Sequence, residues 1–332
     1  MLAMTTVKGT YKMKIVVLEK SIVGEDIDIS SFEQYGEVTY YENTTYDQVG
    51  EHIQDAEIVI LNKSRIHEET IGSCPNIKLI CEFATGYDNI DIEYCKQRGI
   101  LVCNVKDYST AAVAQHTFAL YFYVAEKLRY YDDYVKSKAY QNQDKFSNFD
   151  LPFHELDQKT WGIIGMGMIG QKVASIATAF GCNVIYYSAS GAHDHPVYER
   201  VSFEELLSRA DVLSVHAPLS DRTRHLMNYE AFAKMKKSAV FINVARGPIV
   251  KDEDLYQALV DEKIMAAGLD VIGKEPMDPN NPLGMFNDSN RLIITPHLAW
   301  ASVEARTRLV HETCKNIQAF LDHNPINVVN PV

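Results

Sequence analysis

A glycine-rich turn constrains the fold of this chain more than any other part of its sequence. A run of apolar and small residues at Trp161–Ile164 leads directly into Gly-x-Gly-x-x-Gly at Gly165–Gly170. The hydrophobic pattern then becomes helical from Gln171 to Phe180. A buried strand that turns into a helix on glycines is typical of a binding site for a dinucleotide pyrophosphate, so we predict such a site here.

The three glycines and the start of the helix have separate roles in such a site. Gly165 allows the tight turn, Gly167 leaves room for the phosphates, and Gly170 lets the helix pack closely on the strand. The unpaired N–H groups at the helix start, around Met168 and Ile169, face the anion at the positive end of the helix dipole. We expect these five residues to bind the cofactor.

Length and composition limit the classes of protein to which the chain can belong. Its 332 residues suggest two domains, and a formal net charge of -12 without a basic run argues against a nucleic-acid partner. We see no signal peptide and no apolar stretch long enough to span a membrane, so we predict a cytoplasmic protein. The six cysteines have no paired spacing, and we expect them to be reduced and mostly buried.

The first part of the chain has the alternation of strands and helices that is typical of a parallel sheet. After a polar extension at 1–12, predicted to be disordered, β-rich runs alternate with helical segments of about 10–15 residues. They place a first α/β domain, the substrate domain, at 13–106. Its predicted strands are Lys14–Leu18, Val38–Tyr41, Ile58–Leu61, Ile77–Phe83 and Ile100–Val105.

The glycine turn belongs to a second α/β domain, predicted as a doubly wound dinucleotide-binding domain at 107–299. Its predicted strands are Thr160–Gly165, Asn183–Ser188, Val212–Ala217, Ala239–Ala245, Ala266–Val271 and Arg291–Thr295, with helices such as Phe203–Ser208 and Asp252–Val260 between them. An amphipathic segment, Ser302–Leu321, follows the last strand, so 300–332 is expected to return to the substrate domain. The predicted fold class is therefore α/β, with two Rossmann-like parallel-sheet domains and a cleft between them.

A long helical pattern links the two predicted domains. Ala111–Tyr134 is mostly apolar and rich in tyrosine, and the polar and aromatic stretch Gln141–Pro152 after it has no clear period. Together the two segments predict the surface of a homodimer. An interdomain helix followed by a loose loop explains the same pattern.

Residues suited to one reaction follow the last three predicted strands, where ligands of parallel sheets bind. Arg246 comes first, then Asp270 and Glu275, then His297. Arginine can hold a carboxylate or polarise a carbonyl, and histidine can exchange a proton near neutral pH. A carboxylate beside that histidine orients it and favours its protonated form. Next to a nicotinamide ring, such a set can reduce a 2-oxo acid, with His297 as the acid and, in the reverse reaction, the base.

Several separated motifs resemble those of the D-isomer-specific 2-hydroxyacid dehydrogenases, over about 14–330. The segments that carry this resemblance are Ala84–Asp91, the glycine turn, Val215–Leu219, Asn243–Gly247, Gly268–Val271 with Glu275-Pro276, and Thr295–His297. They occur in the same order as in that family. The resemblance implies an NAD(P)-dependent oxidoreductase that interconverts a 2-oxo acid and a D-2-hydroxy acid.

The same resemblance implies roles for particular residues. It implies that Arg246, Glu275 and His297 are catalytic, and that Arg246 and His297 also contact the substrate. The backbone of Thr85 and Gly86 is expected to receive the substrate carboxylate. A nicotinamide carboxamide is expected on Asp270. Further cofactor contacts are expected at Thr110, His216, Pro218, Thr223, Val244, Ala245 and Arg246.

Two stretches are similar to a subgroup, the glycerate dehydrogenases or hydroxypyruvate reductases: His297–Arg306, and Asn148–Pro152 with Glu155-Leu156. We therefore expect hydroxypyruvate or glyoxylate as the oxo acid. Trp300 is either a wall of the substrate site or a core aromatic residue. One alternative is the same chemistry on a bulkier oxo acid such as phenylpyruvate. Another is a redox-sensing binding protein similar to the corepressors of this fold.

One position departs from the NAD-binding proteins of this fold. They carry Asp or Glu at the end of the second strand, where it binds the ribose 2′-OH, and this chain has Ser188 there. Ser188 and Ser190 can donate to a 2′-phosphate, but the first arginine that follows is Arg200. The sequence therefore leaves both NAD(H) and NADP(H) as possible cofactors, with a small preference for NAD(H). No metal site is predicted, because His193 and His195 are too small a ligand set.

Overall fold

The computed structural model describes residues 12–191 and 194–331, so residues 1–11 of the predicted extension lie outside the described residues. The chain divides into two compact units. Unit 1 contains the described residues up to Tyr108 and those from Ala301 onward, and unit 2 runs from Ser109 to Trp300. All six cysteines are free and buried, as predicted. Within the described ranges, no helix has both the length and the apolar character needed to cross a membrane.

Twelve strands and ten α-helices, numbered in chain order, form the described part of the chain. The strands are β1 Met13–Val17, β2 Gly36–Tyr40, β3 Ile58–Leu61, β4 Leu79–Glu82, β5 Leu101–Cys103, β6 Thr160–Ile164, β7 Asn183–Tyr187, β8 Glu199–Arg200, β9 Val212–Val215, β10 Val240–Asn243, β11 Ala266–Leu269 and β12 Leu292–Ile294. The helices are α1 Val49–His52, α2 Glu68–Ile71, α3 Ile92–Gln97, α4 Thr110–Ala125, α5 Leu128–Lys136, α6 Met168–Ala179, α7 Phe203–Arg209, α8 Tyr229–Lys234, α9 Asp252–Val260 and α10 Val303–Leu321.

Unit 1 is built on a parallel sheet in the order β2-β1-β3-β4-β5. Strands β3 and β4 are buried along their whole length, as expected for strands that are covered on both faces. The helices between these strands are shorter than predicted, with four to six residues in α1, α2 and α3. Poor helix formers such as Gly72 and Pro75 follow α2 and limit its length. The long helix α10 packs against β4.

Unit 2 is built on a parallel sheet in the order β12-β11-β10-β9-β6-β7-β8. The strand order reverses between β6 and β9. One apolar cluster contains Phe118 of α4 and Val173 of α6, and another contains Phe232 of α8 and Leu255 of α9. The two parallel sheets confirm the predicted α/β class with two Rossmann-like domains, and the cleft between the domains stays a prediction. The edge strand β8 was not predicted, because its two exposed charged residues carry no strand signal.

The single helix predicted at Ala111–Tyr134 is in fact two helices. Between α4 and α5, Lys127 adopts a left-handed backbone conformation with a φ of 56°. Its side chain is buried and donates from Nζ to the carbonyl oxygen of Asn290 at 3.2 Å. Burial also lowers the pKa of the Lys127 ammonium. A hydrogen bond to a distant loop thus fixes the break, and no local pattern in the sequence indicates it.

The C-terminal segment covers the free edge of β5. Val329 donates its N–H to the carbonyl oxygen of Val102 at 2.9 Å. The side-chain amide of Asn330 continues this pairing, because it accepts from the N–H of Val102 and donates to the carbonyl oxygen of Ile100, both at 2.8 Å. Asn330 is only 3% exposed, so it satisfies two backbone groups at an edge where water has little access.

Replacing Asn330 with alanine is expected to lower the free energy of unfolding by about 2–6 kcal/mol, since it leaves two buried backbone groups unpaired and each costs about 1–3 kcal/mol. The loss would be measured as a lower midpoint of urea unfolding. Asn324→Ala is the matched control, because Asn324 is exposed. Equal midpoints for the two variants would contradict the role assigned to Asn330.

Candidate active site

The glycine turn between β6 and α6 has a geometry that suits an anion. Gly165 has a φ of 94°, and a Cβ there would approach the backbone nitrogen of Ala217 to 2.7 Å. A Cβ on Gly170 would collide with the carbonyl oxygen of Gly165. At Gly167 an added Cβ meets nothing within 4 Å, so this glycine borders open space. Met168 and Ile169 begin α6, and their N–H groups therefore lack intrahelical acceptors.

Three buried polar atoms of unit 2 have no hydrogen-bond partner within the described residues, and two of them belong to predicted cofactor contacts. These two are Oγ1 of Thr110 and Nδ1 of His216. Thr110 begins α4, which packs against α6. His216 directly follows β9, and its carbonyl carbon lies 2.9 Å from where a Cβ of Gly165 would be. Buried polar atoms normally have partners, so Nδ1 of His216, beside the glycine turn, and Oγ1 of Thr110, at the start of α4, fit the binding of a polar group such as a dinucleotide.

Hydrogen bonds from the core of unit 2 fix the imidazole of His216. Trp161 Nε1 donates to Ser214 Oγ at 2.9 Å, and this oxygen lies 3.0 Å from His216 Nε2. The Ser214 hydroxyl has no other acceptor within the described residues, so it donates to Nε2 and the ring proton resides on Nδ1. Burial lowers the pKa of His216 to about 3, so the ring is neutral near pH 7. The unpaired Nδ1 is therefore an N–H donor.

Arg246 follows β10 in a loop that buried contacts shape. Asn243 accepts the N–H of Ala245 at 3.1 Å and donates to the carbonyl oxygen of Arg246 at 3.0 Å. A Cβ on Gly247 would collide with the carbonyl oxygen of Ile272, so this loop lies directly on the segment after β11. Asn243 is fully buried and is a positioning residue that the sequence analysis missed. The sequence feature that could have indicated this role is an amide side chain at the end of an otherwise apolar strand.

His297 and Glu275 form a close pair. His297 Nδ1 lies 2.6 Å from Glu275 Oε2, and the two side chains are 27% and 31% exposed. The carboxylate accepts this hydrogen bond, so Nδ1 is the donor and Nε2 is left for proton exchange. The other carboxylate oxygen accepts the N–H of Ile272 at 3.3 Å. A histidine oriented in this way by a carboxylate is suited to general acid–base catalysis.

The buried carboxylate of Asp270 holds the segment that carries His297. Its Oδ1 accepts the hydroxyl of Thr295 at 2.6 Å and the N–H of Leu298 at 2.9 Å, and its Oδ2 accepts the N–H of Ala299 at 2.8 Å. The backbone carbonyl of Asp270 accepts the N–H of His297 at 2.8 Å. His297 has a φ of 53°, a conformation that a residue with a side chain rarely adopts. The contact of Asp270 with a nicotinamide stays a prediction.

His116 of α4 extends this network. Its Nε2 lies 2.9 Å from Thr295 Oγ1 and 3.5 Å from Asp270 Oδ1. The Thr295 hydroxyl donates to Asp270, so it accepts from His116. Burial lowers the pKa of His116, and the Asp270 carboxylate opposes this shift. The His116 side chain therefore supports the same segment from α4.

The structure brings most of the predicted site residues of unit 2 to one edge of its sheet. Arg246, Glu275 and His297 follow β10, β11 and β12, which are adjacent and parallel. The glycine turn and His216 follow β6 and β9, the next strands along the same edge. The carboxyl edge of such a sheet, at the point where the strand order reverses, is the usual place for a bound dinucleotide.

Ser188 follows β7 on this edge, and two arginines reach its loop. Arg222 Nη1 donates to the carbonyl oxygen of Ser190 at 3.4 Å, and Arg200 Nη1 donates to that of Gly191 at 3.3 Å. Sequence order indicated only Arg200 as a cation near this loop, and the structure adds Arg222. Arg222 belongs to the loop after β9, and sequence distance from Ser188 gives no sign of its approach.

The other predicted cofactor contacts lie in the loops after β9 and β10. Thr223 is buried and donates to the carbonyl oxygen of Pro218 at 2.8 Å, which closes the turn between them. Pro218 is exposed, Val244 is buried and Ala245 is half-buried. The contacts of these four residues with a cofactor stay predictions.

Thr85 and Gly86 lie in unit 1, directly after β4. Their N–H groups make no hydrogen bond within the described residues. The hydroxyl of Thr85 donates to the carbonyl oxygen of Val105 at 2.8 Å, and its carbonyl oxygen accepts from Asn104 Nδ2 at 2.7 Å. These bonds fix the turn and leave two successive N–H donors for a ligand carboxylate.

The histidine pair considered as metal ligands is only partly described, because His193 lies outside the described residues. His195 stacks on the ring of Tyr198, with the ring centroids 4.8 Å apart. Across 12–191 and 194–331, no group of three or more His, Cys, Asp or Glu side chains could hold a metal ion.

Known proteins are similar to this chain in sequence and in fold. Residues 118–299 match the family described as D-isomer specific 2-hydroxyacid dehydrogenase, NAD binding domain. The chain is 38% identical over 327 residues to a hydroxypyruvate reductase of Blautia hydrogenotrophica, covering 96% of this chain and 100% of that protein. It is 35% identical over 317 residues to a glycerate dehydrogenase of Methylorubrum extorquens, covering 95% and 98%. A solved D-lactate dehydrogenase of Aquifex aeolicus, complexed with NAD and lactic acid, matches with a TM-score of 0.85 at 28% identity, covering 96% and 99%.

These matches confirm the family that the sequence motifs predicted, and with it an NAD(P)-dependent oxidoreductase of 2-oxo and 2-hydroxy acids. The relatives align over nearly the whole chain, so the likeness includes both units. This chain therefore belongs to the D-isomer specific 2-hydroxyacid dehydrogenase family.

Proposed function

We propose that this protein is a hydroxypyruvate or glyoxylate reductase, which reduces a short 2-oxo acid to the D-2-hydroxy acid and catalyses the reverse reaction. The observation that carries the proposal is the 2.6 Å contact between His297 Nδ1 and Glu275 Oε2, on the sheet edge that also bears Arg246. An oriented histidine and a permanent cation suit the chemistry of an oxo acid. The relatives named hydroxypyruvate reductase and glycerate dehydrogenase support a short substrate.

The residues that would hold the dinucleotide are those along the sheet edge of unit 2. The first N–H groups of α6 suit its pyrophosphate. Oγ1 of Thr110 and Nδ1 of His216 offer two further polar atoms, and their lack of partners within the described residues fits a bound polar group. A bound nicotinamide would supply the hydride for C2 of the oxo acid, or would accept it from the hydroxy acid in the reverse reaction.

In the proposed mechanism, Arg246 orients the acid, and the N–H groups of Thr85 and Gly86 stay the predicted donors for its carboxylate. The guanidinium of Arg246 is always charged, and its planar set of donors suits a carboxylate or the adjacent carbonyl oxygen. Holding the acid by these groups fixes which face of C2 reacts, as a D-specific product requires.

His297 moves the proton in the proposed mechanism. During reduction, the protonated ring donates from Nε2 to the oxygen on C2. Glu275 accepts from Nδ1, so it keeps the ring oriented and stabilises its positive charge. During oxidation, the neutral ring takes the proton at Nε2. Asp270 acts through the segment after β12 and is a positioning residue.

Trp300 supports a short substrate over a bulky one. Its Nε1 donates to the carbonyl oxygen of His297 at 3.0 Å, so the indole is fixed close to the proposed acid. The ring also packs against the apolar core of unit 2, and as a wall of the substrate site it would restrict the space for a ring such as that of phenylpyruvate. A redox-sensing corepressor-like protein, the other alternative, would bind the cofactor without turning over any oxo acid.

The direct test is the consumption of reduced cofactor with a panel of oxo acids. We expect kcat/KM with hydroxypyruvate or glyoxylate to exceed that with phenylpyruvate by about 10-fold or more. His297→Asn is expected to lower kcat by about 100- to 10,000-fold, because the proton donor is lost. Cofactor binding by this variant, followed by tryptophan fluorescence, should persist.

His311→Asn is the control for this experiment, because His311 is an exposed histidine of α10. It should keep the activity of the wild type. Normal turnover by His297→Asn across the neutral pH range would rule out proton transfer by His297. Cofactor binding without reduction of any acid in the panel would favour the redox-sensing alternative.

We also propose that the protein uses NADP(H) in preference to NAD(H), which reverses the small preference taken from the sequence. Ser188 stands where an acid would repel a 2′-phosphate, and its Oγ lies 3.4 Å from that of Ser190. Arg222 reaches this loop through the carbonyl oxygen of Ser190. Arg200 pairs with Asp194 at 2.8 Å, so Arg222 is the better candidate to bind the phosphate.

Arg222→Ala is expected to lower kcat/KM for NADPH by about 10-fold, because a phosphate-binding cation is lost, and to change the value for NADH by less than about 2-fold. Initial rates with the two cofactors measure this. Arg224→Ala removes another exposed arginine of the same loop and is the control. Equal losses with both cofactors would show that Arg222 does not select the phosphate.

We further propose a homodimer, while the cytoplasmic location stays a prediction from the sequence. The side chains of α5 and the segment after it include exposed apolar and aromatic groups at Leu128, Val135, Tyr140, Phe146, Phe149 and Phe153. Phe146 and Phe149 are 88% and 79% exposed, and an apolar surface of this kind marks an interaction site. Analytical ultracentrifugation should give a dimer for the wild type and a monomer after Phe146→Ser with Phe149→Ser. A monomeric wild type would contradict the proposal.

A further inference from the structure

A buried carboxylate at the start of α9 lies behind the loop that carries Glu275. Asp252 is the first residue of α9 and is only 9% exposed. Its Oδ1 and Oδ2 accept the N–H of Gly273 at 3.3 and 3.1 Å, and its Oδ2 also accepts from Asn281 Nδ2 at 2.7 Å. The two donors come from the two ends of the loop 273–281, so one side chain holds both ends.

The contact with Gly273 lies next to the side chain of Glu275. Oε1 of Glu275 accepts the N–H of Ile272 at 3.3 Å, and the next N–H along the chain is the one that Asp252 accepts. Two successive N–H groups thus bind two carboxylates, and a shift of this backbone would move the Glu275 side chain with it. A Cβ on Gly273 would lie 2.9 Å from Asp252 Oδ2, so an alanine there would push the two groups apart.

The contact with Asn281 fixes the far end of the loop. Asn281 donates to Asp252, and its Oδ1 accepts the N–H of Leu283 at 3.0 Å. Leu283 is buried in an apolar cluster of unit 2. The loop is therefore tied to the core at this end, while its residues 273–276 are exposed. An exposed loop has few packing contacts of its own, so its shape depends on such ties.

Asp252 is itself held by the segment that begins at Arg246. The N–H of Met227 donates to the carbonyl oxygen of Ile249, and the N–H of Lys251 donates to the carbonyl oxygen of Met227, both at 3.1 Å. These bonds pair the segment with the chain between β9 and α8 and fix the start of α9. The carboxylate of Asp252 therefore ties the segment of Arg246 to the neighbouring loop.

The charge of Asp252 is stabilised by the same contacts. Burial raises the pKa of its carboxyl group, and the hydrogen bonds from Asn281 and Gly273 oppose this shift. Among the charged groups around it, Glu253 raises this pKa and His225 lowers it. The two hydrogen bonds thus favour the carboxylate form, in which both oxygens accept.

From this geometry we propose that Asp252 is a positioning residue for the proton transfer, because it holds Glu275 against His297. The inference rests on the proposed reductase function, in which His297 donates a proton while Glu275 stabilises its positive charge. When the loop is loosened, Glu275 moves away from His297, and the protonated ring loses part of this stabilisation. The effect is then seen in the pH dependence of turnover and not only in the stability of the fold.

The pH profile of kcat/KM for hydroxypyruvate, measured with the full chain, tests this role. Reduction needs protonated His297, so kcat/KM falls as the pH rises. In Asp252→Ala the midpoint of this fall is expected about one pH unit below that of the wild type, which lowers kcat/KM about 10-fold on the alkaline side and less than about 2-fold on the acidic side. Gly273→Ala disturbs the same contact from the other side and is expected to shift the midpoint in the same direction, by less.

Glu253→Ala is the matched control, because it also removes an acid from the first turn of α9, but Glu253 is exposed. It is expected to keep the midpoint of the wild type. A purely structural role for Asp252 would lower the activity of Asp252→Ala equally at every pH, and that result would overturn the proposal. If Asp252→Ala does not fold, an unchanged midpoint in Gly273→Ala would overturn it as well.

Hydrogen–deuterium exchange of the loop gives a readout that does not depend on turnover. The peptide that covers 272–281 is expected to exchange faster in Asp252→Ala than in the wild type or in Glu253→Ala. Turnover by the wild type, with unchanged exchange in Asp252→Ala, would overturn the role of Asp252 alone. A wild type that reduces no oxo acid would overturn the proposed function and, with it, the role of Asp252, even if the loop exchanges faster.

Discussion

The buried carboxylate of Asp270 fixes the part of unit 2 on which the proposed chemistry depends. It is 1% exposed, and it accepts hydrogen bonds from Thr295, Leu298 and Ala299. A carboxylate can be buried at this depth only when such donors surround it. All three donors come from the segment after β12, so the carboxylate at the end of β11 holds that segment in place. His297 lies in the middle of it, in a backbone conformation that it would rarely adopt alone.

The same design recurs along the sheet edge of unit 2. Asn243 is fully buried and shapes the loop that carries Arg246, and Ser214 is fully buried and sets the tautomer of His216. In each case a polar side chain near the end of an apolar strand directs a group that faces the edge. Buried hydrogen bonds are stronger and more directional than those in water, so groups held in this way are already oriented before a ligand binds.

The fold could be predicted from the sequence to the extent that local patterns determine it. The predicted bounds of β3 and α9 agree with the structure, because an apolar run and an amphipathic period mark them clearly. The break at Lys127 could not be predicted, because it depends on Asn290, 163 positions away. The lengths of helices α1, α2 and α3 were also overestimated, because loops and 3-10 turns form much of the chain between the strands of unit 1.

The candidate site could be predicted where strand ends carry distinctive residue types. Arg246 and His297 follow adjacent strands as expected, and the pairing of Glu275 with His297 is present. The buried polar side chains that position the site residues were missed. An asparagine or a serine within a strand has no sequence pattern that indicates a functional role. Arg222 was missed for another reason: it reaches Ser190 from 32 positions away, and only the fold brings them together.

The central claim is that a reduced nicotinamide cofactor held by unit 2 would supply a hydride to C2 of a short oxo acid, while His297 supplies the proton. The most direct measurement uses a nicotinamide cofactor that carries deuterium at the transferable position of C4, with hydroxypyruvate in ordinary water. We predict D-glycerate with one deuterium at C2, identified by NMR and by chiral chromatography. L-glycerate, or a product without deuterium at C2, would contradict the claim.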